Sequence, residues 1–157
     1  TTLSNAVVDG LNIRKIVKLN MMRRLTIMSI LEDVYPWIKN HYGRSKYKKQ
    51  FPSIKYETNI YARLSGNPMA DGEGSEDIVG EYDREMNTIW FYYPNIKSEL
   101  HLIKTLLHEY QHYLQSPSWM KRYYDMGYEY DNHPYELKAL EEEKLGETIQ
   151  ILTQIEY

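Results

Sequence analysis

The 157-residue chain contains no cysteine, which excludes whole classes of protein and of metal site. Without cysteine there is neither a disulfide framework nor a thiolate ligand, so a transition metal would have to be bound by histidine, aspartate or glutamate. No apolar run approaches the ~20 residues that a transmembrane helix needs, and the N-terminal residues lack the pattern of a signal peptide. We therefore expect a cytoplasmic protein without a membrane partner.

Length and composition predict a single globular domain over residues 1–157, with 42% hydrophobic and 26% charged residues. The net charge of −3 is distributed unevenly, because residues 14–49 carry +8 and the rest of the chain carries −11. A basic segment of this kind suits nucleic acid or an acidic partner. No nucleic-acid-binding motif accompanies it. We therefore expect a basic, solvated helix face over 14–49, and contact of this segment with nucleic acid is the less favoured alternative.

Hydrophobic periodicity predicts the first elements. Apolar residues at three- and four-residue steps indicate a helix from about residue 15 to 42, with a break near Pro36. Alternating apolar residues predict a strand over 53–66, and β-branched and aromatic residues predict two short strands over 77–94.

Three helices follow these strands in the predicted order. One covers residues 98–115, a short one is capped by Ser118, and the last runs from Pro134 to about residue 154. The expected fold is α+β: an N-terminal helix, a small, mostly antiparallel three-stranded sheet, then the C-terminal helices.

The helix predicted at 98–115 contains the pattern H-E-x-x-H at His108, Glu109 and His112. Residues four apart lie on one helix face, so both imidazoles can bind one metal ion. Glu109 would lie beside the metal without having to bind it, which suits a general base. The alternative is an ordinary surface helix whose histidines lie on its solvated side.

A catalytic zinc site needs a third protein ligand besides this pair. The extended pattern H-E-x-x-H-x-x-G-x-x-H is absent, because Gln115 and Ser118 occupy its glycine and third-histidine positions. His41 and His133 are isolated histidines. A carboxylate from the last predicted helix is therefore the expected third ligand.

Two segments, LLHEYQHYLQS and NHPYELKALEEEKLGE, resemble the small gluzincin metallopeptidases of the minigluzincin and phage-encoded type. In these proteins the H-E-x-x-H helix is followed by a helix that opens Pro-x-Glu, with alanine three residues after the glutamate. Pro134, Glu136 and Ala139 match that pattern, and the resemblance covers residues 88–147. It implies a helix, a small sheet, an active-site helix and a C-terminal glutamate helix.

The resemblance also implies a zinc-dependent metallopeptidase with one Zn²⁺ per chain. His108, His112 and Glu136 would bind the metal. Glu109 would act as general base on a zinc-bound water that attacks a peptide or protein substrate. If the protein is phage-encoded, the host cytoplasm or the virion is the expected location.

Two departures from the family keep a second hypothesis open. Lys138 replaces a glutamate that many relatives have, and Leu140 replaces an acid or amide of the larger gluzincins. Glu143 is then the expected carboxylate that orients a histidine. The alternative function is a catalytically silent zinc-binding structural or interaction protein of phage origin.

Transition-state stabilisation and substrate binding complete the predicted site. A tyrosine or histidine near the metal usually stabilises the oxyanion, and His133 is ranked before Tyr128, Tyr130 and Tyr135 because it precedes Pro134 and so stays outside the helix. In the families that the chain resembles, an edge strand such as 88–93 pairs with extended substrate. Core packing is the alternative role of that strand.

Overall fold

The computed structural model describes residues 2–67, 69–72 and 77–155, and side chains between residues 13 and 154 within these ranges. Six α-helices and three β-strands follow one another in these residues. Their bounds are α1 Thr2–Tyr42, β1 Ser53–Glu57, α2 Ile60–Ser65, β2 Gly80–Asp83, β3 Thr88–Tyr92, α3 Glu99–Leu114, α4 Pro117–Asp125, α5 Pro134–Glu142 and α6 Gly146–Ile155.

The three strands form one sheet in the order β1-β3-β2. β1 pairs with β3 in parallel and β2 pairs with β3 in antiparallel, so the predicted α+β class with three strands is confirmed and the sheet is mixed. β3 lies in the centre, with a partner strand on each side. The expectation that strand 88–93 is an edge strand is therefore wrong, because long-range pairing with β1 encloses it.

Helix α1 continues through Pro36, where a break was predicted. A proline inside a helix removes one backbone hydrogen bond and costs about 3 kcal/mol. Val34 and Ile38, one helical turn apart, are 1% and 0% exposed, and their burial in the core offsets that cost. Among the described residues, no helix is long and apolar enough to span a membrane.

The strand predicted over 53–66 ends at Glu57, and its second half forms α2. The side chain of Asn59 accepts the backbone N–H of Ala62, which caps the new helix. Gly66 ends it in the left-handed region at φ 73°. A capping asparagine therefore overrides the alternating pattern.

Helix α3 occupies the middle of the domain, in contact with α1, α5, α6 and the sheet. Its two ends match the predicted helix 98–115 to within one residue. One face of the helix is buried in the core: Leu102, Ile103, Leu106, Leu107, Tyr110 and Tyr113. Each buried aliphatic side chain contributes about 1.5–3 kcal/mol, so this face fixes the rotation of α3 and turns its polar stripe towards β2 and α5.

The chain turns sharply after α3 and returns along it. Ser116 directly precedes Pro117 and caps α4 by accepting the backbone N–H of Trp119. The cap is therefore two residues before Ser118, the residue that was predicted for this role. Gly127, at φ 102°, follows the end of α4. The return brings α5 alongside the polar stripe of α3.

Candidate metal centre

The histidines of the H-E-x-x-H pattern lie on the face of α3 that its apolar side chains leave free. Ser98 caps the helix by accepting the backbone N–H of His101. The rings of His108 and His112 lie one turn apart, with their centroids separated by 5.0 Å. Both rings therefore face the same side of the helix.

Glu136, in the first turn of α5, lies between the two histidines. One of its carboxylate oxygens, Oε2, is 3.0 Å from Nε2 of His108, and the other, Oε1, is 3.1 Å from Nε2 of His112. The Glu136 side chain is 9% exposed. The structure thus brings together the three side chains that were predicted as metal ligands.

Each histidine also forms a hydrogen bond through Nδ1, the ring nitrogen that does not contact Glu136. Nδ1 of His108 lies 3.0 Å from Glu143 Oε2, and Nδ1 of His112 lies 2.8 Å from Gln115 Oε1. The amide nitrogen of Gln115 donates to the carbonyl oxygen of Tyr135, so its Oε1 is free to accept. Because both outer partners accept, each Nδ1 donates, and Nε2 of a neutral ring remains for a metal.

Glu109 lies beside the two histidines, and its carboxylate accepts the backbone N–H of Tyr82 on β2. Burial raises the pKa of Glu109 to about 7, while His112 and His108 lower it and Glu136 raises it further. A carboxyl with this pKa exchanges a proton near neutral pH.

Two sets of three side chains could bind a metal here. The ligand atoms of His108, Glu109 and His112 lie within 4.8 Å of one another. Glu136 is the better third ligand, because its two oxygens contact both Nε2 atoms directly.

The two histidines and Glu136 form one charged cluster. Burial would lower the pKa of His108, but hydrogen bonds to Glu136 and Glu143 raise it to about 10. Burial would raise the pKa of Glu136, but hydrogen bonds from His108 and His112 lower it to about 2. A bound cation would take the place of the proton that this cluster holds near neutral pH.

A cleft of about 450 Å³ opens over these side chains, between β2 and α3 on one side and the segment before α5 on the other. Its lining residues are Ile78, Gly80, Glu81, Tyr82, Arg84, His108, Glu109, His112, Met120, Tyr130 and Glu136. The cleft therefore joins the predicted ligands to a strand that the sequence did not associate with them.

The outer edge of β2 faces this cleft. The N–H of Tyr92 donates to the carbonyl of Val79 at 2.9 Å, which makes these two residues a hydrogen-bonded pair. Backbone groups alternate along an antiparallel strand, so those of Gly80 and Tyr82 point away from β3. The Tyr82 N–H that reaches Glu109 agrees with this alternation.

Gly80 allows β2 to pass close to α3. A Cβ atom at this position would lie 2.7 Å from Cγ2 of Thr105 and 3.2 Å from the carbonyl oxygen of Trp90. These separations are shorter than van der Waals contact. Glycine at position 80 therefore determines how near the strand edge comes to Glu109.

His133 does not reach the cleft, which corrects its predicted catalytic role. The side chain is 0% exposed, and its Nδ1 accepts the N–H of Tyr135 to cap α5. Its Nε2 is 3.0 Å from the carbonyl oxygen of Met120, to which it donates. Both ring nitrogens are thus used to join α4 to α5.

Tyr130 is one of the three tyrosines that the sequence ranked after His133 for stabilising the oxyanion. Its hydroxyl hydrogen-bonds the carboxylate of Glu136, and it lies on the rim of the cleft. Burial of the hydroxyl, together with Glu136 and Glu109, raises the pKa of Tyr130 to about 12. The hydroxyl therefore keeps its proton and can donate a hydrogen bond at the site.

The two departures from the gluzincin pattern lie away from the cleft. The Lys138 side chain is 58% exposed and pairs with Glu142 at 2.7 Å. Leu140 is 54% exposed. Glu143 orients His108 as predicted, so neither departure leaves a histidine of the site without an outer partner.

Two polar residues of the site were missed. Gln115 was interpreted only as the loss of a family glycine, although its spacing of three from His112 indicates a contact within one turn. Arg84 donates from Nη2 to the carbonyl oxygens of His112 and Gln115, at 2.7 and 3.1 Å, and clamps the end of α3. A single arginine in a turn carries no sequence signal for that role.

Comparisons with protein-family models, with curated proteins and with solved structures found no match for the chain.

Proposed function

We propose that the chain is a zinc-dependent peptidase, in which His108, His112 and Glu136 bind the metal and Glu109 is the general base. The observation that carries this proposal is the carboxylate of Glu136, which contacts Nε2 of both histidines. Glu109 adjoins them in the same cleft. Two histidines and one glutamate are a donor set of catalytic zinc sites.

Each carboxylate oxygen of Glu136 lies nearly as far from a histidine Nε2 as two ligand atoms of one zinc ion lie from each other. Ligand atoms at about 2.0–2.1 Å from a tetrahedral zinc ion lie about 3.3 Å apart, and the two contacts of Glu136 measure 3.0 and 3.1 Å. Zinc in such a site lowers the pKa of a water molecule and polarises a carbonyl group. The outer bonds to Glu143 and Gln115 would hold both imidazoles in their metal-binding orientation.

Glu109 is placed to move the proton in hydrolysis. Its carboxylate is fixed by the Tyr82 N–H, and burial raises its pKa to about 7. In the proposed reaction it removes a proton from the attacking water and then delivers that proton to the leaving amine.

Tyr130 and β2 supply the remaining functions of a peptidase. The Tyr130 hydroxyl, on the cleft rim, would donate a hydrogen bond to the oxygen of the carbonyl under attack. The outward backbone groups of Gly80 and the carbonyl of Tyr82 would pair with an extended peptide, which is binding by strand addition, while the Tyr82 N–H stays on Glu109. The substrate-binding strand in this proposal is therefore β2.

The test is Glu109→Gln, which preserves size and the ability to accept the Tyr82 N–H. Hydrolysis of a mixed peptide library, followed by mass spectrometry, should fall by at least about 10²–10³-fold, while the zinc content stays unchanged. Glu141→Gln is the matched control, because that side chain is 63% exposed on α5. Wild-type hydrolysis in Glu109→Gln would contradict the assignment.

The same library distinguishes the alternative function. A wild-type chain that holds zinc and cleaves no peptide would support a zinc-binding structural or interaction protein. Hydrolysis that a chelator abolishes and added zinc restores would support the peptidase.

A further inference from the structure

A second cavity, called the side pocket below, adjoins the cleft over the metal centre and has a volume of about 350 Å³. Five residues line both the cleft and the side pocket: Ile78, Gly80, His108, Glu109 and Tyr130. From there the side pocket follows α3 back to His101, seven residues before His108 and about 10 Å along the helix axis. The side pocket therefore opens at the metal centre and is long enough for a large side chain.

Gly80 faces the side pocket. A Cβ atom at this position would lie 2.7 Å from Cγ2 of Thr105 and 3.7 Å from Cγ of Glu109, and both of these residues line the pocket. The outward backbone groups of Gly80 are those that would pair with an extended peptide. Side chains of residues directly opposite each other on paired strands lie on the same face of the sheet. The substrate residue opposite Gly80 would therefore turn its side chain into the side pocket.

Two carboxylates of the side pocket have oxygens without a partner. Glu143 contacts His108 through Oε2 alone among the described residues, and the exposed Asp77 forms no ion pair with any of them. Within the same part of the chain, no lysine or arginine lines the pocket. Glu109 and Glu136 are not counted here, because their two charges would balance those of a zinc ion. The side pocket thus keeps a charge of −2.

His101 forms part of the pocket wall without adding a positive charge. Its Nδ1 accepts the backbone N–H of Lys97 at 3.0 Å. Burial and the charge of Lys97 lower the pKa of His101, although Glu143 raises it. The ring is therefore neutral at neutral pH and carries its proton on Nε2. It does not offset the charge of the two carboxylates.

We propose that the side pocket selects a lysine or arginine side chain on the substrate residue opposite Gly80. This selectivity rests on the proposed peptidase function, with β2 as the substrate-binding strand. A cationic side chain would pair with the free carboxylate oxygens of Glu143 and Asp77 and offset both charges. An apolar side chain would leave both carboxylates without a partner and partly desolvated, which is unfavourable. The substrate class is therefore peptides or protein segments with a basic residue beside the cleaved bond.

Hydrolysis of a mixed peptide library by the zinc-loaded chain is the first test. Mass spectrometry of the products should show lysine or arginine at one fixed position relative to the cleaved bonds. Alanine peptides that differ in one central residue then measure the strength of the preference. The value of kcat/KM should be at least about tenfold higher with arginine or lysine than with leucine or glutamine.

The variant Asp77→Lys changes the charge of the side pocket and leaves Glu143, which orients His108, intact. It should lower the ratio of kcat/KM for the arginine peptide to kcat/KM for the leucine peptide by at least about fivefold. Asp125→Lys is the matched control, because Asp125 is exposed at the end of α4 and lines neither cavity. It should keep the wild-type ratio. An equal fall in both variants would overturn the proposal, because net charge and not the pocket would then set the preference.

Peptide binding distinguishes the pocket from the peptidase assignment. Zinc-loaded Glu109→Gln, which retains Glu143 and Asp77, should bind a labelled arginine peptide at least about fivefold more tightly than the leucine peptide, measured by fluorescence anisotropy. Selective binding without hydrolysis by the wild type would contradict the peptidase and support the pocket. Hydrolysis with no preference for a basic residue, or with a preference for glutamine, would support the peptidase and overturn the pocket. Failure to bind any of the peptides would overturn the pocket as well.

Discussion

The contact between Glu136 and the two histidines predicts a measurable pH dependence of stability in the chelator-treated protein. The pKa of Glu136 falls from its usual 4.5 to about 2 through its hydrogen bonds to His108 and His112. A shift of this size corresponds to about 3 kcal/mol. Glu136→Gln should therefore lower the free energy of unfolding by about 3 kcal/mol at pH values where Glu136 and its histidine partners are all charged. This magnitude agrees with the loss of one member of a buried ion pair.

The signs of the two shifts define the pH window. The pKa of Glu136 is lowered to about 2, so its contribution is present above 4.5 and is lost as the pH falls towards 2. The pKa of His108 is raised from 6.5 to about 10, so its contribution is present below 6.5 and is lost as the pH rises towards 10. The difference in the free energy of unfolding between the wild type and Glu136→Gln should therefore be largest at pH 4.5–6.5.

Urea unfolding with a chelator, followed by circular dichroism over a pH series, measures this difference. Glu141→Gln is the control, since an exposed pair such as Glu141 with Lys144 contributes at most about 1 kcal/mol. A difference that does not vary with pH, or one that is largest at alkaline pH, would refute the reasoning.

Three further substitutions test other parts of the site. Gln115→Ala should weaken zinc binding by about 10–100-fold in competition with a chelating dye, because Nδ1 of His112 loses its acceptor. Gly80→Ala should lower the free energy of unfolding by about 1–3 kcal/mol in urea, because its Cβ would crowd Thr105. Tyr130→Phe should reduce kcat by about 10²–10³-fold in a peptide-cleavage assay with unchanged zinc content; an unchanged kcat would exclude Tyr130 as the oxyanion donor.

Local chemistry explains which parts of the fold the sequence predicted. The ends of α3 follow from Ser98 and from Pro117, and its rotation follows from the apolar stripe, so the positions of His108 and His112 were predictable. The contact of Glu143 with His108 was also predictable, because Glu143 follows Glu136 by about two helical turns.

Long-range contacts explain which parts were not predicted. The central position of β3 depends on its pairing with β1, which no local pattern encodes. The same pairing leaves β2 as the strand beside Glu109. Tyr130 and His133 both precede α5, and only the folded chain shows that His133 is used as a cap.

The most direct test of the central claim is the zinc content of the purified chain by elemental analysis after dialysis. The account predicts one equivalent in the wild type and in Glu109→Gln. It predicts a large loss in His112→Ala and Glu136→Ala, with one equivalent retained in His133→Ala. A wild-type chain without zinc, or full zinc content in His112→Ala, would contradict the proposed metal centre.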